Sequence, residues 1–466
     1  MNSDQFKNKA SINSIKTGTI ERNIALTRLG LGAGAKIAAH SIANIFRGGV
    51  DRDDANRDFY EKQARILADE LGRLKGSVMK AGQMLSLYGQ YFLPEAAVNV
   101  LSQLQDNTPP VHWKVVFPVL KKSLGKSKLA ELEIEERPIA AASLGQAHRA
   151  WRKKDRMPLC IKIQYPGVAT SIDSDLRTLS RVLQMTRLMP KGPDLDPVFS
   201  ELREMLMREV DYRAERRFTE NFAQRLNGDA RYAVPRVIGD YCSDMVLTTS
   251  FEEGVSVRED IVHELSQERR NQLGMVFFEL FLKEYFEWGM VQTDPHFGNY
   301  RIRPDGKGGD QLVLLDFGAT RMFDPKFVRA YADLVRGAVE HDHQRLWAGG
   351  RGIGLLSETL PAPVLEAFAK MCELIVEPFN DHSKGETPVR LLNAQGEYRW
   401  GESDLPMRVG KLAAMNSISY HFKVPPREIM FLHRRLAGVF IVMATLRAEL
   451  NVRELLLAHL RTASSA

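Results

Sequence analysis

Cysteine is scarce in this chain. Cys160, Cys242 and Cys372 are the only three in 466 residues, far apart and without a C-x-x-C pair. That excludes a disulfide framework and points to a reducing compartment. Long apolar runs are missing as well. The strongest candidate, Leu436 to Leu446, is too short to span a hydrocarbon core of about 30 Å and reads as a buried core helix. The N-terminus carries Asp4 and Glu21 where a secretory signal would have an apolar stretch, and it is not an Arg-rich transit peptide, so no targeting leader is expected. No His/Cys group has zinc-ligand spacing, no Ser-His-Asp arrangement emerges, and no basic-aromatic stripe points to nucleic acid. No internal repeat is visible. A strong charge of one sign is also lacking: the net +6 fits anionic partners such as nucleotides or acidic lipids, and equally fits none.

What remains is an ordinary soluble composition, long enough for two or three domain-sized units. Residues 1 to about 24 are polar and mixed in charge and read as a flexible arm. From Leu26 to Phe46 small residues alternate with Leu and Ile, flanked by Arg28 and Arg47. This reads either as a helix lying in a membrane interface or as a small-residue helix packed on the protein. Residues 51 to 105 read as long helices, broken at Pro109-Pro110, with an amphipathic segment at Val115 to Leu124. The period then changes. Ala147 to Trp151 and Pro158 to Gln164 read as two strands joined by a charged turn, Lys153 to Arg156. Helices are expected over Asp173 to Leu188, Pro197 to Leu226 and Glu268 to Phe286. A hairpin is expected over Asn299 to Leu315, and helices everywhere after Pro325.

Two segments carry the chemistry: Asp294-Pro-His-Phe-Gly-Asn299 and Asp316-Phe-Gly318. An Asp leading an Asn by five residues, with an Asp-Phe-Gly one hairpin later, is the spacing with which protein kinases hold metal ions against nucleotide phosphates. Lys162 sits in the apolar strand Leu-Cys-Ile-Lys-Ile, where a buried ammonium needs a partner. Alternation puts it on the face opposite Ile161 and Ile163, where it can grip α/β phosphates. Ahead of it, Ala140, Ala141, Ala142 and Ser143 occupy the place of a Gly-rich phosphate loop. They are small enough for close approach but forbid the positive φ that glycine allows, and Ser143 can add a hydroxyl. Glu209, Asp211 and Glu215 lie in one acidic-basic stretch. Glu209 and Asp211 are two apart, so either the helix breaks there or they serve different partners, and one of the acids pairs Lys162. Lys80 and Gln83 share a helix face, and with the glycine between them they could plug a pocket. For His296 a backbone or packing role is expected, and for His148 and His433 local caps.

Taken in order, Lys80-x-Gly-Gln83, Ala-Ala-Ala-Ser-Leu-Gly-Gln-Ala-His148, Lys162, Glu209-x-Asp211-Tyr, Gln292-Thr-Asp-Pro-His-Phe-Gly-Asn299 and Asp316-Phe-Gly resemble the UbiB/AarF/ADCK type of atypical kinase, with the Gln-Thr-Asp-Pro form similar to its coenzyme-Q-biosynthesis branch. Residues 101–110 and Leu432-His-Arg-Arg435 resemble family patterns too. The resemblance spans about residues 57 to 450. It implies an α+β, bilobal protein-kinase-like fold: an arm over 1–50, a family-specific N-terminal helical extension over 51–125, a small β-containing N-lobe over 126–255 and a helical C-lobe over 256–466. It implies binding of ATP or ADP with Mg²⁺ between the lobes. Asp294 would be the catalytic-loop Asp, Asn299 and Asp316 the Mg²⁺ ligands and Lys162 the phosphate contact. Glu215 would pair Lys162, and Lys80, Gln83, Glu209 and Asp211 would form a family-specific gate over the site.

Two departures from ordinary kinases matter. Gln292-Thr293 stands where His-Arg would precede the Asp, so the catalytic loop is braced differently. No Ala-Pro-Glu follows Gly318, so a peptide-docking platform is not expected. ATP hydrolysis or phosphorylation of a small or lipid-like acceptor fits better than general protein phosphorylation. The expected partners are an anionic or isoprenoid lipid and a quinone-biosynthesis complex, with the protein cytoplasmic and peripheral to the inner face of a membrane. A regulatory pseudokinase and a small-molecule kinase are the alternative classes.

Overall fold

The computed structural model describes residues 80–82, 84, 110–185, 196–307, 309–416 and 426–465. The expectations for the arm, for Leu26 to Phe46, for most of the helices over 51–105 and for Gln83 lie outside them. By its contacts the chain divides into two units, Met1–Glu220 with Arg236–Phe251, and Asn221–Pro235 with Glu252–Ala466.

In the first unit helix α1 (Trp113–Ala130) precedes three strands, β1 (Leu132–Ala141), β2 (Gly145–Arg152) and β3 (Met157–Gln164). Helices α2 (Val168–Met185), α3 (Asp196–Glu209) and α4 (Tyr212–Arg225) follow; the first turns of α4 belong to this unit and its end to the second. A two-residue strand of the second unit, β4 (Tyr232–Ala233), intervenes before β5 (Val246–Ser250) completes the antiparallel order β1-β2-β3-β5. Alternation along β3 buries Leu159, Ile161 and Ile163 completely. Residues that follow Pro109-Pro110 are fixed by side-chain bonds: Gln146 accepts from the Val111 N–H at 2.9 Å and donates to the Val111 carbonyl at 3.0 Å.

The second unit continues with a short helix α5 (Asp260–His263) and the apolar helix α6 (Gln267–Leu282). Ser266 caps α6 by accepting the Arg269 N–H, and the helix widens into a π-helical turn over Lys283–Glu287. Strand β6 (Met290–Gln292) pairs with β9 (Thr320–Met322), and the hairpin of β7 (Tyr300–Arg303) and β8 (Gln311–Leu314) stands between them in sequence. Strand β4 adds to β8 in parallel. Helix α7 (Pro325–Glu340) begins where Asp324 accepts the Lys326 N–H and Pro325 presets the first turn. Helices α8 (His343–Gly352), α9 (Ala362–Ile375), α10 (Leu405–Asn416), α11 (Arg427–Thr445) and α12 (Arg453–Ser465) follow.

Three expectations need correction. Ala140 to Ser143 are not all loop: Ala140 and Ala141 end β1, Gly145 begins β2, and the turn is Ala142 to Leu144. The region after Pro325 is not all helix, because Glu377–Glu402 is built from 3-10 turns and a bridge between Leu392 and Tyr398. The histidines are not caps. His148 lies buried within β2, bonded to Gln146 and the Glu135 carbonyl and packed on Trp113, and His433 is an exposed residue in the body of α11. Burial lowers the His148 imidazole to about 4.

Candidate functional site

The first unit brings Lys162 to Glu215. The ammonium lies 2.7 Å and 2.9 Å from the two carboxylate oxygens and 5.3 Å from the centre of the Tyr212 ring. Strand register sets this up, because Lys162 is opposite Leu247 on β5 and Ala147 on β2, on the face away from Ile161 and Ile163. The side chain of Glu215 is 4% exposed and that of Lys162 is 28% exposed.

The acids before Glu215 serve different purposes. Helix α3 ends at Glu209, and a break at Val210-Asp211 restarts the chain as α4. Asp211 accepts the Ala214 N–H at 2.9 Å and so acts as the start signal for the helix that carries Glu215. Glu209 pairs instead with Lys80 at 2.8 Å.

The β1–β2 turn is tight, with the Ala142 N–H bonded to the Gly145 carbonyl at 2.8 Å. No residue of Ala140 to Ala142 takes a left-handed conformation. Gly145 is required for packing: a Cβ there would lie 2.7 Å from both the Ile163 carbonyl and the Tyr212 hydroxyl. Ser143, expected to add a hydroxyl, is 4% exposed in this turn. The turn folds back through a bond from the Tyr165 N–H to the Leu144 carbonyl.

In the second unit Asp294, Asn299 and Asp316 belong to one bonded framework. The Asn299 amide donates to the Asp294 carbonyl at 3.0 Å and to its Oδ2 at 3.1 Å. Gln292 accepts the Asp294 N–H at 3.0 Å and donates to the Asp316 carbonyl at 3.2 Å, and Thr293 donates to the Ala319 carbonyl at 2.7 Å. Gln-Thr therefore ties the two motifs together through side-chain amide and hydroxyl. Asp316 Oδ1 accepts the Gly318 N–H at 2.9 Å, and Phe317 is buried against Phe222. His296 accepts the Gly298 N–H at 3.0 Å, the backbone role expected of it.

Helix α11 supplies a brace that sequence reasoning missed. Phe431, Arg434, Arg435 and Gly438 recur at helical spacing and meet the loop in turn. Phe431 lies under the Arg321 guanidinium, 3.3 Å from ring centre. Arg434 Nη2 bonds Asp294 Oδ1 at 2.6 Å. Arg435, fully buried, pairs with Glu284 of the π-helical turn at 3.1 Å and donates to the Tyr300 hydroxyl at 2.8 Å, which in turn donates to Gln292 at 3.2 Å. A Cβ on Gly438 would run into Pro295. Burial pushes the Glu284 carboxyl up to about 7 against the pull of Arg435, and burial likewise pushes the Tyr300 phenol up. The signal available in sequence was an arginine pair just ahead of the apolar run Leu436 to Leu446.

Asp316 and Asn299 supply hard oxygen donors of the kind Mg²⁺ takes beside phosphate oxygens and water. Among the described residues no group of three or more His, Cys, Asp or Glu is arranged to hold a metal by protein ligands alone. Nor, among them, is any helix long and apolar enough to cross a membrane.

A family model described as the ABC1 atypical kinase-like domain matches residues 103–348. The mitochondrial atypical kinase COQ8 of Schizosaccharomyces pombe is 30% identical over 87% of this chain and 64% of its own length. The mitochondrial coq-8 of Caenorhabditis elegans is 32% identical over 84% and 50%, and mitochondrial COQ8B of Rattus norvegicus is 30% identical over 92% and 77%. The chain thus spans 64% and 50% of the first two relatives. The solved complex of Rv3197 with erythromycin from Mycobacterium tuberculosis matches 89% of this chain and all of that one at a TM-score of 0.58 and 24% identity, a likeness of fold.

Proposed function

Because the chain belongs to the ABC1 atypical kinase-like family, the UbiB/AarF/ADCK type, we propose that it is a MgATP-dependent atypical kinase or ATPase. In this reading it supports coenzyme Q biosynthesis at a membrane surface. The observation that carries this is the bonded framework of Asp294, Asn299 and Asp316, bridged by Gln292. Such a framework suits phosphoryl transfer, where catalysis is chiefly positioning and charge stabilisation.

Lys162, held by Glu215, contacts the α/β phosphates. Asp316 and Asn299 hold Mg²⁺, which neutralises charge on the phosphates when bound. Asp294 orients the attacking hydroxyl or water. Ala140 to Ala142 approach the nucleotide through backbone, and Lys80, Gln83, Glu209 and Asp211 gate the acceptor. The names of the relatives support the quinone setting and a membrane-bounded compartment. A regulatory, non-turning-over nucleotide binder is the second reading. It is favoured by both Asp294 carboxylate oxygens being engaged, by Arg434 and Asn299.

The test is Mg²⁺-dependent ATP turnover with and without phosphatidylglycerol vesicles, for wild type and Asp316→Asn. The expected result is turnover that rises with vesicles and falls by on the order of 100-fold in the variant. Equal turnover in the two proteins would sink the catalytic reading. Tight nucleotide binding without turnover would move the assignment to the regulatory one.

A further inference from the structure

Transfer of a phosphoryl group passes through a transition state with negative charge spread over its peripheral oxygens, and a cation beside the catalytic aspartate stabilises it. The loop from Asp294 to Asn299 has no Lys or Arg. Its histidine, His296, is exposed and its Nδ1 is spent on the Gly298 N–H. The charge comes instead from α11, well outside the residues matched by the family model.

Arg434 reaches Asp294 Oδ1 at 2.6 Å, while Oδ2 is left to Asn299. The two side chains are 35% and 29% exposed, so the guanidinium is neither buried nor detached. A guanidinium carries five N–H donors in a rigid fork, more than one carboxylate oxygen can use. Its position is set by neighbours on the same helix. Phe431 is stacked on Arg321, Arg435 is locked into the buried pair with Glu284, and Gly438 lies hard against Pro295, the residue after Asp294. An ordinary surface ion pair has no such anchoring on both sides.

Resting on the MgATP reading above, we propose that Arg434 is the cation of the phosphoryl-transfer site. It fixes the Asp294 carboxylate with one donor and offers the others to the terminal phosphate of bound ATP. It thereby takes the part that a loop lysine or a separate arginine plays elsewhere. ADP lacks that phosphate and leaves those donors to water.

The experiment measures MgATP and MgADP affinity, together with turnover, for wild type, Arg434→Lys, Arg434→Gln, Arg434→Met and Asp294→Asn. MgADP affinity is expected to stay within about 3-fold throughout. The preference for ATP over ADP should fall by roughly 10-fold in Arg434→Gln and Arg434→Met, with part of it restored in Arg434→Lys. Turnover should fall by on the order of 100-fold while KM for ATP changes far less. Two replacements of different polarity keep the test alive if one of them unfolds. A folded Gln or Met variant with wild-type ATP preference and wild-type turnover would overturn the proposal and leave the MgATP reading standing. A wild type that binds neither nucleotide would remove that reading, and this proposal with it.

Discussion

Lys162 and Glu215 in the first unit, and Arg435 and Glu284 in the second, are both cation–carboxylate pairs, yet they differ in what water can reach. The lysine is 28% exposed and holds a nearly buried glutamate. The arginine and its glutamate are 0% and 1% exposed, with Tyr300 and Gln292 extending the chain of bonds toward Asp294. A pair whose cation is open to solvent can share that cation with an arriving phosphate at little cost. A fully buried pair cannot exchange partners without leaving a charge stranded. In the proposed reading the first serves as a handle for a ligand, while the second is a bolt that fixes the loop from Asp294 to Asn299.

Removing one partner of the bolt should have the largest effect. Arg435→Met leaves Glu284 buried alone and should cost about 3–5 kcal/mol in urea unfolding. Lys162→Met should cost distinctly less, while abolishing most nucleotide affinity. Equal losses of stability in the two variants would erase the distinction.

Acid should separate the groups next. His148 in the first unit is lowered to about 4 from an ordinary 6.5 by burial. The unfolded chain therefore binds its proton first. Its contribution is complete above pH 6.5 and is lost as pH falls from there toward 4, on the order of 3 kcal/mol. Glu284 runs the other way. With its carboxyl raised to about 7, its contribution is full below the ordinary carboxylate range and is lost as pH rises through 7. Because the two act in opposite directions, urea midpoints are compared between wild type and His148→Phe, and the wild type should lose stability relative to the variant as pH falls below 6.5. A difference that does not change with pH would contradict the buried neutral imidazole.

Lys80→Ala should have the smallest effect. Its pair with Glu209 is partly exposed, 24% and 29%, and worth about 0.5–1 kcal/mol, reduced by added salt. A loss matching that of Arg435→Met would mean the gate is a structural element of the first unit and would redraw the comparison.

Much of this arrangement can be read from local pattern. Strand β3 with Lys162 alternates cleanly, the turn before it is charged, and the β7–β8 hairpin has Pro304 and Gly309 at its tip. Strand β1 was hidden because Glu133, Glu135, Glu136, Arg137 and Pro138 crowd it with charge and a proline on a half-exposed edge. The choice between Glu209 and Glu215 as partner of Lys162 turned on a helix break that Asp211 controls, and spacing alone left it open. The contacts of Arg434 and Arg435 were unreadable for a different reason. Their partners, Asp294 and Glu284, lie 140 and 151 residues earlier in the chain, so only the tertiary fold joins them.

Lys162 and the Asp294–Asn299–Asp316 framework are each proposed to bind magnesium nucleotide. Calorimetric titration of ATP into wild type, Lys162→Met and Asp316→Asn, each with and without Mg²⁺, tests it most directly. The account predicts that wild type loses most of its affinity when Mg²⁺ is chelated. Asp316→Asn should bind equally weakly in both conditions, and Lys162→Met should lose affinity in both. Wild-type binding indifferent to Mg²⁺, or three proteins with the same affinity, would contradict it.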